Sequence, residues 1–119
     1  MPLAYHEPYD ELKPKTREIH RALESLIEEL EAVDWYLARA DTTTDPELKK
    51  ALEHNMNEEV EHAALMLEWL RRNMPRFDQE LRTYLFTSAP ITEIEEQAEG
   101  HAEAEPNSGG SGLKLGSLR

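Results

Sequence analysis

Glu29, Glu59 and His62 offer two carboxylates and an imidazole at spacings suited to holding a cation. Glu59 and His62 bracket Glu59-Val60-Glu61-His62, so on a helix a carboxylate and an imidazole share one face. Met56 and Ala63 flank Glu59 on that face at helical spacing. A carboxylate in an apolar stripe calls for a counter-charge or a metal ion. Glu29 interrupts a similar column on the preceding helical stretch, with Ala22, Leu26, Val33 and Tyr36. Carboxylates with an imidazole suit hard or borderline cations such as iron. A dinuclear carboxylate bundle takes a Glu from each of two helices and a Glu-x-x-His from each of two more. One chain supplies half of that set, and a second copy of itself would supply the rest. The plain alternatives are a solvated helix face, with Glu58 competing for His62 at i+4, and an ion pair buried in the seam.

These residues need two helices held level. Ile19, Leu23, Leu26, Leu30, Val33, Leu37 and Ala40 recur at alternating spacings of four and three, a heptad-like stripe. Asp10 is a candidate N-cap for this first helix, with Pro14 early enough to be tolerated or to mark a later start. Asp41-Thr42-Thr43-Thr44-Asp45-Pro46 breaks the stripe. Asp45 then suits an N-cap and Pro46 the first position of a second helix, which runs to about Asn73 before Pro75. The short connection predicts an antiparallel hairpin. Glu29 lies twelve residues before Asp41 and Glu59 thirteen after Pro46. Both therefore stand roughly 18–20 Å from the turn at the helical rise. A short third helix is expected around Arg76 to Phe86. Trp35 and Trp69 read as packing aromatics, and Tyr36 as core packing or an electron source beside the site. His54 reads as a rim residue, while His6, His20 and His101 have no partner pattern.

Composition narrows the partners. The 119 residues suffice for one small domain, and 39 % hydrophobic content is lean for an isolated monomer. A net charge of −12 argues against nucleic acid and for attraction of cations. The absence of cysteine excludes disulfide, zinc-knuckle and iron–sulfur frameworks. No apolar run approaches a membrane span, and the first eight residues do not read as a signal peptide, which leaves a cytosolic address as the default. From Thr87 to Gly112 there are six Glu and no Lys or Arg, so this stretch reads as disordered or weakly structured. The expected organisation is a flexible start at 1–9, a helical domain at 10–96, an acidic and Gly/Ser-rich linker at 97–112 and a distinct terminus at 113–119. That terminus carries three leucines, two bases and no acid.

Two segments carry a resemblance to a known family. Glu28-Glu29-Leu30-Glu31-Ala32-Val33-Asp34-Trp35-Tyr36 resembles the first helix of encapsulated ferritins. Asn57-Glu58-Glu59-Val60-Glu61-His62-Ala63-Ala64, continued by Leu67 to Asn73, resembles their second. Arg82 to Phe86 and Pro90 to Glu96 fit the C-terminal part of the pattern. The resemblance implies an all-α chain, a two-helix hairpin plus a short C-terminal helix, that dimerises into a ferritin-like four-helix bundle with an acidic, disordered tail. It implies a ferroxidase that oxidises Fe(II) to Fe(III) with oxygen at a di-iron site shared between two chains. Such dimers join into a ring, typically a decamer, carried as cargo inside an encapsulin shell in a prokaryotic cytoplasm, for iron storage and detoxification. Carried onto this sequence, the ligands are Glu29, Glu59 and His62. Tyr36 falls on a tyrosine beside the site, Trp35 on its neighbour, and Glu28 and Glu31 on acids linked to metal entry and further metal binding. Asp34 lies beside them.

The resemblance also gives the terminus a role. Leu113, Leu115, Gly116, Ser117, Leu118 and Arg119, with Lys114, resemble a shell-targeting peptide on a flexible linker. Alternating leucines on an extended segment can fill small pockets while Gly/Ser gives reach. An engineered scar is the plain alternative for Gly109-Gly110-Ser111-Gly112. Two other functions compete with the ferroxidase. One is a non-enzymatic helical adaptor, in which removing Glu29 or Glu59 would relieve buried charge. The other is a manganese or mixed-metal oxidase of the ferritin-like class, with zinc binding as an inhibitor.

Overall fold

The computed structural model describes residues 4–104, with side chains through residue 100. A single 3-10 turn, Tyr9–Glu11, precedes four helices: α1, Pro14–Thr42; α2, Pro46–Asn73; α3, Pro75–Tyr84; and α4, Ile91–Ala104. No strand occurs among the described residues, so the chain is all-α as expected. None of these helices is long and apolar enough to cross a membrane. The described residues divide into two compact units, with the boundary between Pro75 and Arg76.

The first unit is the α1–α2 hairpin. Pro14 is the first residue of α1, where its missing N–H costs nothing. Asp10 lies in the 3-10 turn instead of capping the helix, and extended Lys13 takes the cap position. Arg17 ties the two pieces together. Its Nε and Nη2 donate to the Tyr9 carbonyl at 3.1 and 2.7 Å, and its guanidinium lies 3.9 Å from the Tyr9 ring centroid. At the turn, the Leu48 N–H donates to Asp45 Oδ1 at 2.9 Å, satisfying an otherwise orphaned donor of α2. Pro46 follows as the first helical residue, as the sequence predicts. Glu47 in the first turn and Arg71 and Arg72 in the last suit the helix dipole. Pro75, whose ring disfavours helical backbone at the residue before it, ends α2. At the open end of the hairpin, Lys15 bonds Asn73 Oδ1 and lies 5.4 Å from the Trp69 ring centroid.

The seam of this hairpin is narrow. Ala22 and Ala40 of α1 and Ala63 and Leu70 of α2 are buried, Leu70 completely. Small alanines let two helix backbones approach closely, but they bury little area. Much of the apolar stripe stays open: Leu30 and Leu37 are each 54 % exposed and Val60 48 %.

In the second unit, α3 carries i,i+4 ion pairs, Arg76 Nε to Glu80 Oε2 at 2.7 Å and Arg82 Nε to Asp78 Oδ1 at 3.0 Å. The helix ends through Phe86, which has a left-handed backbone at φ 61°. The Pro90 carbonyl then accepts from Glu93 and Ile94 N–H at 3.0 and 3.1 Å and starts α4. The stretch from Thr87 onward, expected to be disordered or weakly structured, is instead helical over Ile91–Ala104. Ile91, Ile94 and Ala98 recur at spacings of three and four, and Ile94 is buried. The abundance of acids hid a short one-sided apolar stripe among good helix formers. Of the tail, residues 105–119, including the 113–119 segment, lie outside the described residues.

Candidate metal centre

The hairpin brings Glu29, Glu59 and His62 together. α1 supplies Glu29, and one turn of α2 supplies Glu59 and His62. His62 Nδ1 stands 3.5 Å from Glu29 Oε2 and 3.7 Å from Glu59 Oε2. One ligand atom from each residue lies within 4.8 Å of the others. Among the described residues this is the one group of three or more His, Cys, Asp or Glu that meets that condition. The equal distance of the two carboxylates from the turn, read from residue counts, is therefore realised as contact.

The carboxylates are three-quarters buried, at 26 % and 25 % side-chain exposure, whereas His62 keeps 44 %. Glu29 Oε2 is buried with no hydrogen-bond partner. A proton on Glu29 would let it donate to the Glu59 carboxylate, and that bond is the largest influence raising the Glu29 pKa above its usual 4.5. Burial and the charge of Glu59 push in the same direction, while His62 opposes them. An orphaned buried acceptor beside a second carboxylate and an imidazole fits a bound cation, which would replace proton sharing by coordination.

The other sequence candidates stand apart from this triad. Glu28 and Asp34 are exposed and Glu31 half-buried, and none joins a ligand group. Tyr36 is half-buried, and the Arg39 guanidinium lies 5.6 Å from its ring centroid, a neighbour that spacing did not single out. Trp35 is 49 % exposed, and no packing role for it follows from the single chain. Glu58 pairs with exposed His54, Oε1 to Nε2 at 3.4 Å. His20 stacks on Tyr5 with ring centroids 3.9 Å apart, beside a cavity of about 350 Å³ that shares no residue with the triad. That stack pairs a His with an aromatic from an irregular segment, which helical spacing does not register.

Comparison with known proteins gives the family of the chain. The EncFtn-like family matches residues 4–88. The chain belongs to that family. A "Ferritin-like protein" of Thermotoga maritima is 60 % identical over 106 residues, covering 89 % of this chain and 90 % of the relative. An "Encapsulated ferritin-like protein" of Rhodospirillum rubrum is 52 % identical, covering 96 % of this chain and 86 % of the relative. An "Encapsulin nanocompartment cargo protein EncC" of Myxococcus xanthus is 39 % identical over 57 % of this chain and 55 % of its own length. Among solved structures, protein ne0167 from Nitrosomonas europaea is 57 % identical with a TM-score of 0.72, covering 74 % of this chain and 97 % of that one. The encapsulated ferritin resemblance read from the two helices is thus borne out. The EncFtn-like chain has an all-α fold with a Glu/Glu/His cluster at mid-hairpin.

Proposed function

We propose that this EncFtn-like protein is a ferroxidase whose substrate, Fe(II), is held by Glu29, Glu59 and His62 from each of two copies of the chain. The triad with its orphaned Glu29 oxygen carries this reading. Three ligands on one open face are half of what a dinuclear carboxylate bundle requires. Pairing two hairpins brings four carboxylates and two imidazoles around one cavity. When bound, two ferrous ions each give one electron to oxygen. The chain's own residues do the rest. Glu29 and Glu59 supply negative charge that favours the ferric product over the ferrous substrate. His62 adds a neutral ligand and fixes the face on which the metal sits. Tyr36, one heptad from Glu29, lies two turns along the same helix face, as packing or as a source of an electron. The exposed acids Glu28 and Asp34, with half-buried Glu31, draw cations toward the seam.

The relatives named for encapsulation support a second part of the proposal, that the chain is cargo of an encapsulin shell in a prokaryotic cytoplasm. The segment Leu113 to Arg119 is the docking peptide of this reading. Removing residues 113–119 should abolish co-packaging and leave ferrous oxidation intact. Normal loading of the truncated chain would contradict the assignment.

The enzyme reading is tested by aerobic ferrous oxidation, followed through ferric absorbance, in native protein and Glu59→Ala. The native chain should oxidise iron quickly, and an equally assembled Glu59→Ala should fall by about a hundredfold or to the buffer rate. Buffer-rate oxidation by correctly assembled native protein would leave a non-enzymatic helical adaptor.

A further inference from the structure

Met56 and Met66 bracket the candidate metal centre on α2. Met56 precedes Glu59 by three residues and Met66 follows His62 by four, spacings that place all four side chains along one side of the helix. At the helical rise each sulfur-bearing residue sits about 4.5–6 Å along the axis from its nearest site residue. Both are half-buried, and Met66 lies three residues after buried Ala63 and four before buried Leu70, on the seam side of the helix. Gap filling explains a methionine in a seam, because its side chain is unbranched and adaptable. It does not explain a thioether on both sides of a redox site, where leucine would pack as well.

We infer that Met56 and Met66 are oxidant-intercepting modification sites that take up hydrogen peroxide made at the metal centre. This rests on the ferroxidase reading. Two Fe(II) and one oxygen molecule, with two protons, give two Fe(III) and one hydrogen peroxide. The thioether sulfur then attacks one peroxide oxygen, the O–O bond breaks, and the second oxygen leaves as water. Sulfur is oxidised by two electrons to the sulfoxide and peroxide is reduced. The sulfoxide is reversible by dedicated reductases, whereas oxidation of the His62 ring is not a repairable lesion of this kind. The pair thus spares the imidazole on which the site depends.

Met74 provides an internal reference. It is half-buried like the other two but stands twelve residues beyond His62, about 18 Å along the chain axis. Native protein is taken through repeated aerobic ferrous additions with catalase present, and a parallel sample receives hydrogen peroxide without iron. Tandem mass spectrometry then measures sulfoxide at each methionine. The ratio of Met56 and Met66 sulfoxide to Met74 sulfoxide should be about threefold or more higher after iron turnover than after bulk peroxide. Fast iron oxidation with equal ratios in the two samples would overturn the inference and leave the ferroxidase reading standing. No iron oxidation above buffer would sink both, and the ferric absorbance tells these failures apart. A Met56→Leu/Met66→Leu double variant keeps the packing volume. It should oxidise iron at the native initial rate, accumulate oxidised His62 and lose rate sooner over successive additions. His62 oxidation no higher than in the native chain would overturn the protective role.

Discussion

Two carboxylates of α2 and α1 illustrate how neighbours decide what the same side chain does. Glu29 is pushed above its usual pKa by a second carboxylate and burial. Glu68 is pulled the other way, to about 2, by hydrogen bonds from Arg71 and then Arg72. Arg71 grips it with Nε and Nη2 at 2.7 and 2.8 Å, and Arg72 adds Nε at 2.7 Å. The carboxylate is 42 % exposed, so solvent screens the pair and its part in stability is small. Its sign is nonetheless defined. A depressed folded pKa makes the contribution full above the ordinary 4.5 and lost as pH falls through about 2. Carboxyl-carbon NMR should therefore place the Glu68 midpoint near 2, and Arg71→Ala with Arg72→Ala should return it toward 4.5. A native midpoint near 4.5 would mean that the double clamp does not hold in solution. Neither clamp nor triad needed an unusual residue; both follow from which groups helical spacing sets side by side.

Helix ends were the most legible elements. Asp45 and Pro46 announce the start of α2, and Pro75 its end, because capping and ring sterics act within a few residues. At the start of α1 the same local signals offer two choices, Asp10 as a cap or a later start at Pro14, and the later start is the one adopted. Asp10 looks like a cap, but Pro14 farther on offers a better first position, and a 3-10 turn absorbs the residues between. The α4 helix was illegible from composition, since acidic residues dominate its average and only the spacing of Ile91, Ile94 and Ala98 reveals a face. Gly100 is the weak point of that helix, and a Cβ there would meet nothing within 4 Å. Gly100→Ala should raise the stability of this unit by about 0.5–1 kcal/mol through helix propensity and reduced freedom of the unfolded chain. Helicity by circular dichroism and denaturant midpoints would read it. An unchanged or lowered midpoint would show that α4 is not limiting for this unit.

The hairpin buries Ala22, Ala40, Ala63 and Leu70 and leaves large leucines open, which suits a protomer that is finished by others. If two copies share the proposed site, the ferrous oxidation rate per chain should fall on dilution in step with dissociation followed by sedimentation. A constant rate per chain in a solution shown to be monomeric would contradict the shared site. Counting along the chain is enough for the all-α class, for the place where the hairpin turns, and for the three residues that stand level on its two helices. Those properties depend on periodicity, on local caps and on a constant rise per residue, all countable along the chain. Packing in three dimensions settles that His62 meets both carboxylates at once, that Glu58 pairs with His54, and that Glu29 Oε2 is buried without a hydrogen bond. Those depend on how far apart the two helices pack and how each is rotated about its axis. Side chains from both helices set that packing jointly, and no single stretch of sequence contains it.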